Sequence, residues 1–272
     1  MEICEEIIRK AIEFAEAKIQ RKLLFVYLQG SQNYGLQTSS SDYDLKAFCI
    51  PSFDDFYTRS LISLTIDYEH GQITIHDARM LPELLYKMNP VYLESFFSKC
   101  LFVRKPNGQF AKVTSPLDSL LFNDLFITNY DVLIRASISY FRKKVDEIHK
   151  PSAIRIPVVK EYGYDIKSAS HAFRIYYLIH GLEEAGGANI QSPFTVYQSL
   201  LTFKGMEEER NLVLRIKTGS LEESEIARDL SSFTDYLNKR FQIHQEKSKN
   251  PPPSLESLKE RIYRLIKDYF AD

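Results

Sequence analysis

Asp42 and Asp44, separated by one tyrosine, are the residues of this chain whose type and spacing point most directly to chemistry. They open the run YDLKAFCI (43–50), which reads as a β-strand ended by Pro51. Strand alternation puts residues i and i+2 on one face, so the two carboxylates should share a face. Two bare carboxylates that close repel each other, and the pair is comfortable only in solvent or with a cation between its members. Gly30 and Ser31, with ten residues between them and Asp42, follow another strand-like run. A strand ending in Gly-Ser offers backbone N–H groups at a turn, room for a phosphate where the glycine lacks a side chain, and a hydroxyl donor.

A second group of candidate residues lies far downstream. Lys167, His171 and Arg174 are spaced by four and three, which puts them on one face of a helix. Three potential cations on one stripe repel each other unless an anion sits opposite. The apolar residues Ile166, Ala169, Phe173 and Tyr177 run beside them, so long cationic chains can keep their stems packed while their heads reach a cleft. A solvated basic face is the alternative.

The elements that must position these groups change character along the chain. Ile3, Ile7, Ile8, Ala11, Phe14, Ala15 and Ile19 recur at helical spacing over residues 2–20. LLFVYL (23–28) is apolar throughout, as in a strand covered on both faces. LISLTID (61–67) and QITIHD (72–77) read as two further strands joined by a tight turn. Beyond Asp77 the spacing is helical, over 79–88, 90–98, 117–124, 128–148, 166–184, a stretch around 195–218, and 221–245. The fold class is therefore α+β, a small mixed sheet followed by a helical half. KPNGQ interrupts the pattern, so the expected division is a core at 1–108 and a helical domain at 109–272. SKNPPPS (248–254) is a stiff connector to a last helix, where Ser257 and Glu260 are placed to form a capping box and Leu258 lies on an apolar stripe that docks back.

Composition limits the function classes. The 35 basic and 36 acidic residues nearly balance, which excludes a global basic field for non-specific nucleic-acid binding. The basic stretches Arg142-Lys143-Lys144 and Lys247-Ser248-Lys249 read as solvated faces. The 3 cysteines are too few and scattered for a disulfide framework or a zinc site. The acidic start is unlike a signal peptide and no apolar run reaches membrane-spanning length, so a cytoplasmic protein without a membrane partner is expected.

The string GSQNYGLQTSSSDYDLKAF (30–48) resembles the signature of the nucleotidyltransferase superfamily that includes DNA polymerase beta, in which a Gly-Ser precedes an Asp-x-Asp at about this separation. Its Ser-x-x-Tyr-Gly and Ser-Asp-x-Asp form is similar to a branch of predicted bacterial and phage nucleotidyltransferases with a long helical C-terminal region. GYDIKSASHAFRIYYLIHGLEEAG (163–186) and RIKTGSLEESE (215–225) look like the second and third blocks of that branch, which carries the resemblance from about residue 23 to 225. The resemblance implies a mixed sheet with an active-site cleft and a nucleoside triphosphate as substrate. It implies a magnesium or manganese ion on Asp42 and Asp44. It places the triphosphate on Gly30 and Ser31, with Tyr34 in the same motif, and makes Lys167, His171 and Arg174 its further contacts. The expected reaction transfers a nucleotidyl group to a hydroxyl of RNA, a protein or a small molecule and releases pyrophosphate.

One position departs from the pattern. Members of the superfamily usually carry a third carboxylate on a later strand, and the matching strand here has Gln72, whose amide cannot act as a base. His76, on the same strand face as Gln72 and Thr74, is the candidate substitute base, and a shifted register would offer Asp67 or Glu69 instead. Asp77 is expected to cap the helix that follows. A catalytically degenerate protein that binds nucleotide or a partner is the alternative function.

Overall fold

The computed structural model describes residues 2–39, 41–105, 107–113, 119–247 and 255–267, and the expected proline-rich connector lies outside them. The chain forms two compact units. The first holds the described residues up to Tyr86, those from Val91 to Ser119 and the C-terminal helix; the second holds Lys87–Pro90 and the residues from Leu120 to Lys247. The architecture is α+β, as expected. Among the described residues no helix is long and apolar enough to cross a membrane.

The first unit begins with α1 (Glu2–Ile19) and β1 (Leu23–Gln29), then the single turn α2 (Ser31–Tyr34) and β2 (Asp44–Cys49). A short α3 (Phe53–Tyr57) precedes the hairpin β3 (Ser63–Tyr68) and β4 (Gly71–Asp77), and α4 (Leu81–Tyr86) and α5 (Pro90–Leu93) lead to the hairpin β5 (Leu101–Arg104) and β6 (Phe110–Val113). The strands form one sheet in the order β3-β4-β2-β1-β5-β6, with β2 parallel to β4 and the other pairs antiparallel.

One face of this sheet is apolar. Val26 and Leu28 of β1, Leu45, Ala47 and Cys49 of β2, Ile73 and Ile75 of β4 and Phe102 of β5 are buried in one cluster with Ile8, Ala11, Ile12 and Ala15 of α1. Helical spacing in α1 meets strand alternation in the sheet, so both elements hide one stripe. Phe14, expected in that stripe, is instead 44 % exposed with Lys18 Nζ 5.7 Å above its ring, and Ile12 holds the core position.

Two strands were not legible from periodicity. LFVR and FAKV are four residues each, too short to show a period, and Asn107 and Gly108 lie in the turn of the hairpin they form, where Gly108 N donates to the Lys105 carbonyl at 2.8 Å. Arg104 fastens this hairpin to the rest: its Nε donates to the Leu23 carbonyl at 2.8 Å, and its guanidinium pairs with Glu16 of α1.

The second unit contains α6 (Ser119–His149), α7 (Ile156–Tyr162), α8 (Ile166–Glu184), α9 (Pro193–Leu201), α10 (Glu207–Lys217) and α11 (Glu223–Lys247). α6 joins what periodicity split into two helices; it bends where Asn129 leaves helical geometry (φ −119°, ψ 22°). α8 packs against α9, α10 and α11 and buries Ala169, Ala172, Phe173, Ile175, Leu178, Ile179 and Leu182. The last helix, α12 (Leu255–Lys267), belongs to the first unit and packs on α4 with Leu258 buried. It begins at Leu255, so Ser257 lies inside it rather than at the expected N-cap position.

Helices α6, α8 and α11 are joined by a buried polar network. His244 of α11 bonds Asp131 of α6 through Nδ1 at 2.6 Å and Glu183 of α8 through Nε2 at 2.7 Å, while Arg240 and Tyr236 donate to the second Glu183 oxygen. Burial alone would raise the Glu183 carboxyl, but the hydrogen bonds from His244 and Arg240 outweigh it and hold the group below its ordinary 4.5. A carboxyl depressed in the folded state stabilises above the unfolded value, and that stability is lost as pH falls through the folded value. Glu183→Gln should therefore cost about 2 kcal/mol at pH 7, less than a fully buried pair because the Arg240 side chain is 35 % exposed. Thermal melts should show the gap between the variant and the wild-type protein narrowing below pH 4.5; a constant gap would mean the ionised carboxylate is not what matters.

Candidate active site

The face of the sheet opposite the apolar cluster carries the candidate chemistry. The β1–β2 register pairs Gln29 with Asp44, Tyr27 with Lys46 and Phe25 with Phe48, and the β2–β4 register pairs Lys46 with Thr74 and Phe48 with His76. Paired residues share a face, so Asp44, Lys46, Phe48, Thr74 and His76 line it together with Phe25, Tyr27 and Gln29. Continuing the β2–β4 register by one residue sets Gln72 beside Asp44. Gln72 in turn pairs with Asp67 of β3, and its Nε2 donates to Asp67 Oδ1 at 2.8 Å.

The Gly-Ser turn and Asp44 meet directly. Gly30 leaves β1 with φ 74°, and a Cβ added to it would stand 2.8 Å from Asp44 Oδ2. Glycine is required here twice, for the left-handed backbone and for the space the carboxylate occupies. Ser31 is half-buried at the start of α2, and Tyr34 at its end is buried. The returning loop is tied down before it reaches the aspartates: Ser41 Oγ accepts from Thr38 N at 2.8 Å, and Gln32 Nε2 donates to the Ser41 carbonyl at 3.4 Å. Asp42 is exposed just before β2, and Asp44 is half-buried as its first residue. Tyr43 between them is anchored by its backbone, its N–H donating to the His70 carbonyl at 2.9 Å and its carbonyl accepting from Tyr68 Oη at 2.7 Å.

His76 shares this face but not this end of it. It lies at the level of Phe48, four residues along β2 from Asp44, a separation of roughly 13 Å. Its Nδ1 is 3.1 Å from Ser63 Oγ and its Nε2 is 3.4 Å from Tyr92 Oη. Burial, followed by the charge of Lys46, pushes its pKa down to about 4, so the ring is neutral near pH 7. Asp77, on the other face, caps the following turn by accepting from Arg79 N at 2.8 Å and pairs with the Arg79 guanidinium at 2.7 Å.

Lys46 and Glu94 join the site without having been singled out from the sequence. Lys46 is buried, its Nζ lies 4.4 Å from the centroid of the Tyr92 ring, and burial pushes its pKa down to about 8. In the sequence it is one lysine in an apolar strand, and the only signal was its place two residues after Asp44. Glu94, nearly fully buried, accepts from Tyr34 Oη and from Gln29 Nε2. Nothing in its local sequence distinguishes it from an exposed helical glutamate.

In the second unit the structure brings the two downstream blocks together. Asp165 caps α8, accepting from Lys167 N at 3.0 Å and Ser168 N at 3.2 Å. Tyr164 Oη donates to the Leu221 carbonyl at 3.2 Å, and the Tyr162 ring occupies the space over Gly219. Lys167 is exposed, Arg174 is buried, and His171 lies between, with Nδ1 out of solvent and without a hydrogen-bond partner. Burial, and then the charges of Arg174, Lys144, Lys167 and Lys217, push the His171 pKa well below 6.5. Lys144 was expected on a solvated face; its side chain is 17 % exposed and it pairs with Glu147 at 2.6 Å.

Asp42 and Asp44 suit a hard divalent cation such as magnesium, which is commonly held by one or two carboxylates together with substrate phosphates and water. The space over Gly30 keeps Asp44 Oδ2 clear of any side chain at that position. Among the described residues no group of three or more His, Cys, Asp and Glu side chains forms a metal cage. Among curated proteins none matches the chain. A family model described as the RNA repair pathway DNA polymerase beta family matches residues 4–268, and the protein belongs to that family of DNA polymerase beta-like nucleotidyltransferases.

Proposed function

We propose that the protein is a magnesium- or manganese-dependent nucleotidyltransferase that takes a nucleoside triphosphate and joins its nucleotidyl group to a hydroxyl. The observation that supports this reading is the close approach of Gly30 to the Asp44 carboxylate, which sets the Gly-Ser turn against one of the two candidate metal ligands. Gly30 and Ser31 hold phosphate oxygens through backbone N–H groups and the hydroxyl, with Tyr34 shaping the turn. Asp42 and Asp44 hold the metal, which when bound supplies positive charge at the reacting phosphate. Lys46 adds a fixed cation on the same sheet face. Lys167 and Arg174 neutralise phosphate charge, and His171, neutral, offers a hydrogen bond. In the transfer, the acceptor oxygen forms a bond to the α-phosphorus, the bond from that phosphorus to the α,β-bridging oxygen breaks, pyrophosphate leaves and the hydroxyl proton passes to solvent. Of RNA, protein and small-molecule acceptors, RNA is favoured by the family's description as an RNA repair family.

Transfer of α-labelled nucleotide from each of the four triphosphates to RNA and to protein tests this reading. Asp44→Asn should lower the transfer rate at least on the order of a hundredfold while leaving the melting temperature near that of the wild-type protein, since several kcal/mol of charge stabilisation are removed. Unchanged transfer would remove Asp44 from the site. Lys167→Glu, a change at an exposed position, should weaken triphosphate binding about tenfold and leave nucleoside binding unaltered. Equal losses for both ligands would argue against phosphate contact.

A second reading is favoured by Gln72 and His76. The amide beside Asp44 donates its nitrogen to Asp67, and His76 is neutral, lies four residues along the face from Asp44 and is bonded to Ser63 and Tyr92. On this reading the chain binds triphosphate without transferring it. Gln72→Asp discriminates: a faster transfer identifies the missing carboxylate as the limiting feature, whereas a slower one shows that the position supplies no metal ligand.

A further inference from the structure

The turn that carries Gly30 and Ser31 cannot hold its own shape. α2 is one helical turn of four residues, and a lone turn has the cost of nucleation without the return of propagation. Its conformation must be imposed by neighbours, and segment 91–99 touches it or its supporting strand at several points. Ser98 Oγ donates to the Leu28 carbonyl at 2.8 Å, Lys99 N donates to Asn33 Oδ1 at 2.8 Å, and Gln29 Nε2 donates to the Val91 carbonyl at 3.4 Å. Glu94 stands at the centre of this set. It is 1 % exposed, and its Oε2 accepts from Tyr34 Oη at the end of the turn and, at 3.4 Å, from Gln29 Nε2 immediately before it.

We propose that Glu94 is a positioning residue for triphosphate binding, acting through Tyr34 and Gln29 to hold the Gly30–Ser31 turn in its phosphate-ready form. This rests on the reading of Gly30 and Ser31 as phosphate contacts. A carboxylate behind the turn repels a polyanion, so charge alone favours its removal. Its retention in a nearly water-free place, where a polar group is costly unless hydrogen-bonded, is explained by the hydrogen bonds it accepts from Tyr34 at the end of the turn and Gln29 just before it. The charge and positioning accounts therefore give opposite signs when Glu94 is replaced.

Titration of the full chain with inorganic tripolyphosphate in magnesium reads that sign without a base or sugar. Glu94→Leu should weaken binding about tenfold, as expected for losing a hydrogen bond to a charged group. Tyr34→Phe, which keeps the ring, should lose about as much, and the double variant no more than either alone because the two act as one unit. Glu94→Gln, which keeps an acceptor oxygen, should stay within about threefold of the wild-type protein. A purely structural role would lower the melting temperature of Glu94→Leu without this rescue pattern, and would weaken nucleoside binding equally. Tighter or unchanged binding by Glu94→Leu and Tyr34→Phe, with Gly30→Ala weakened, overturns the role of Glu94 and leaves the proposed function standing. If Gly30→Ala binds as the wild-type protein does, or the wild-type protein does not bind, the phosphate reading of the turn falls and this proposal with it. Should Glu94→Leu fail to fold, Tyr34→Phe and Glu94→Gln decide the matter by the same criteria.

Discussion

A Cβ on Gly71 would stand 2.5 Å from the carbonyl oxygen of Tyr43 and 3.0 Å from its nitrogen, so only glycine lets the first residue of β4 lie this close to the residue between the two aspartates. The positions flanking Gly71 depend on that approach. The His70 carbonyl takes the Tyr43 N–H, and Tyr68 Oη reaches the Tyr43 carbonyl from the end of β3. With both backbone groups of Tyr43 engaged, Asp42 and Asp44 cannot shift independently of the β3–β4 hairpin. Asp44 then closes on Gly30, and the direction of the Gly-Ser turn follows. A tight backbone contact in one hairpin thus sets the geometry of a turn that precedes it in the chain.

The two faces of the sheet divide the work. The α1 side is apolar and supplies hydrophobic stabilisation. On the other side polarity increases toward the Asp44 end, from the packed rings of Phe25 and Phe48, 4.9 Å apart, through Lys46 to the aspartates. Lys46 shows the tension. Burial makes its charged form costly, which is why its pKa falls to about 8, and the face of Tyr92 offsets part of that cost. Two aspartates without a cation repel a triphosphate, and a lysine two residues along the same strand lessens that repulsion.

Much of this was legible in the residues themselves, and the reason differs from element to element. α8 appeared with its bounds intact because nineteen residues of helical spacing follow a capping aspartate. The Gly-Ser and Asp-x-Asp were legible because strand alternation and glycine geometry are local rules. β5 and β6 were not, since four-residue strands carry too little period and their identity lies in pairing with β1 and with each other. Glu94 was invisible for a related reason: its meaning depends on Tyr34 and Gln29, sixty or more positions away. Lys144 was misjudged because a run of three basic residues on a helix points in three directions, and only the fold shows that one of them turns inward.

Gln72 is the position where folding and chemistry pull apart. The register puts Asp67, Gln72, Asp44 and Gln29 in one row across β3, β4, β2 and β1, each about 4.8 Å from the next. A carboxylate at position 72 would stand between two others and face both on neighbouring strands, an arrangement that like charges destabilise until metal arrives. The amide removes that repulsion and donates to Asp67 at 2.8 Å, so the metal-free row is self-consistent. What it gives up is a group able to take a proton. Hence the same amide that lets the row fold without a cation offers no base at this position, and the register leaves Asp44 and Asp67 separated by a neutral side chain.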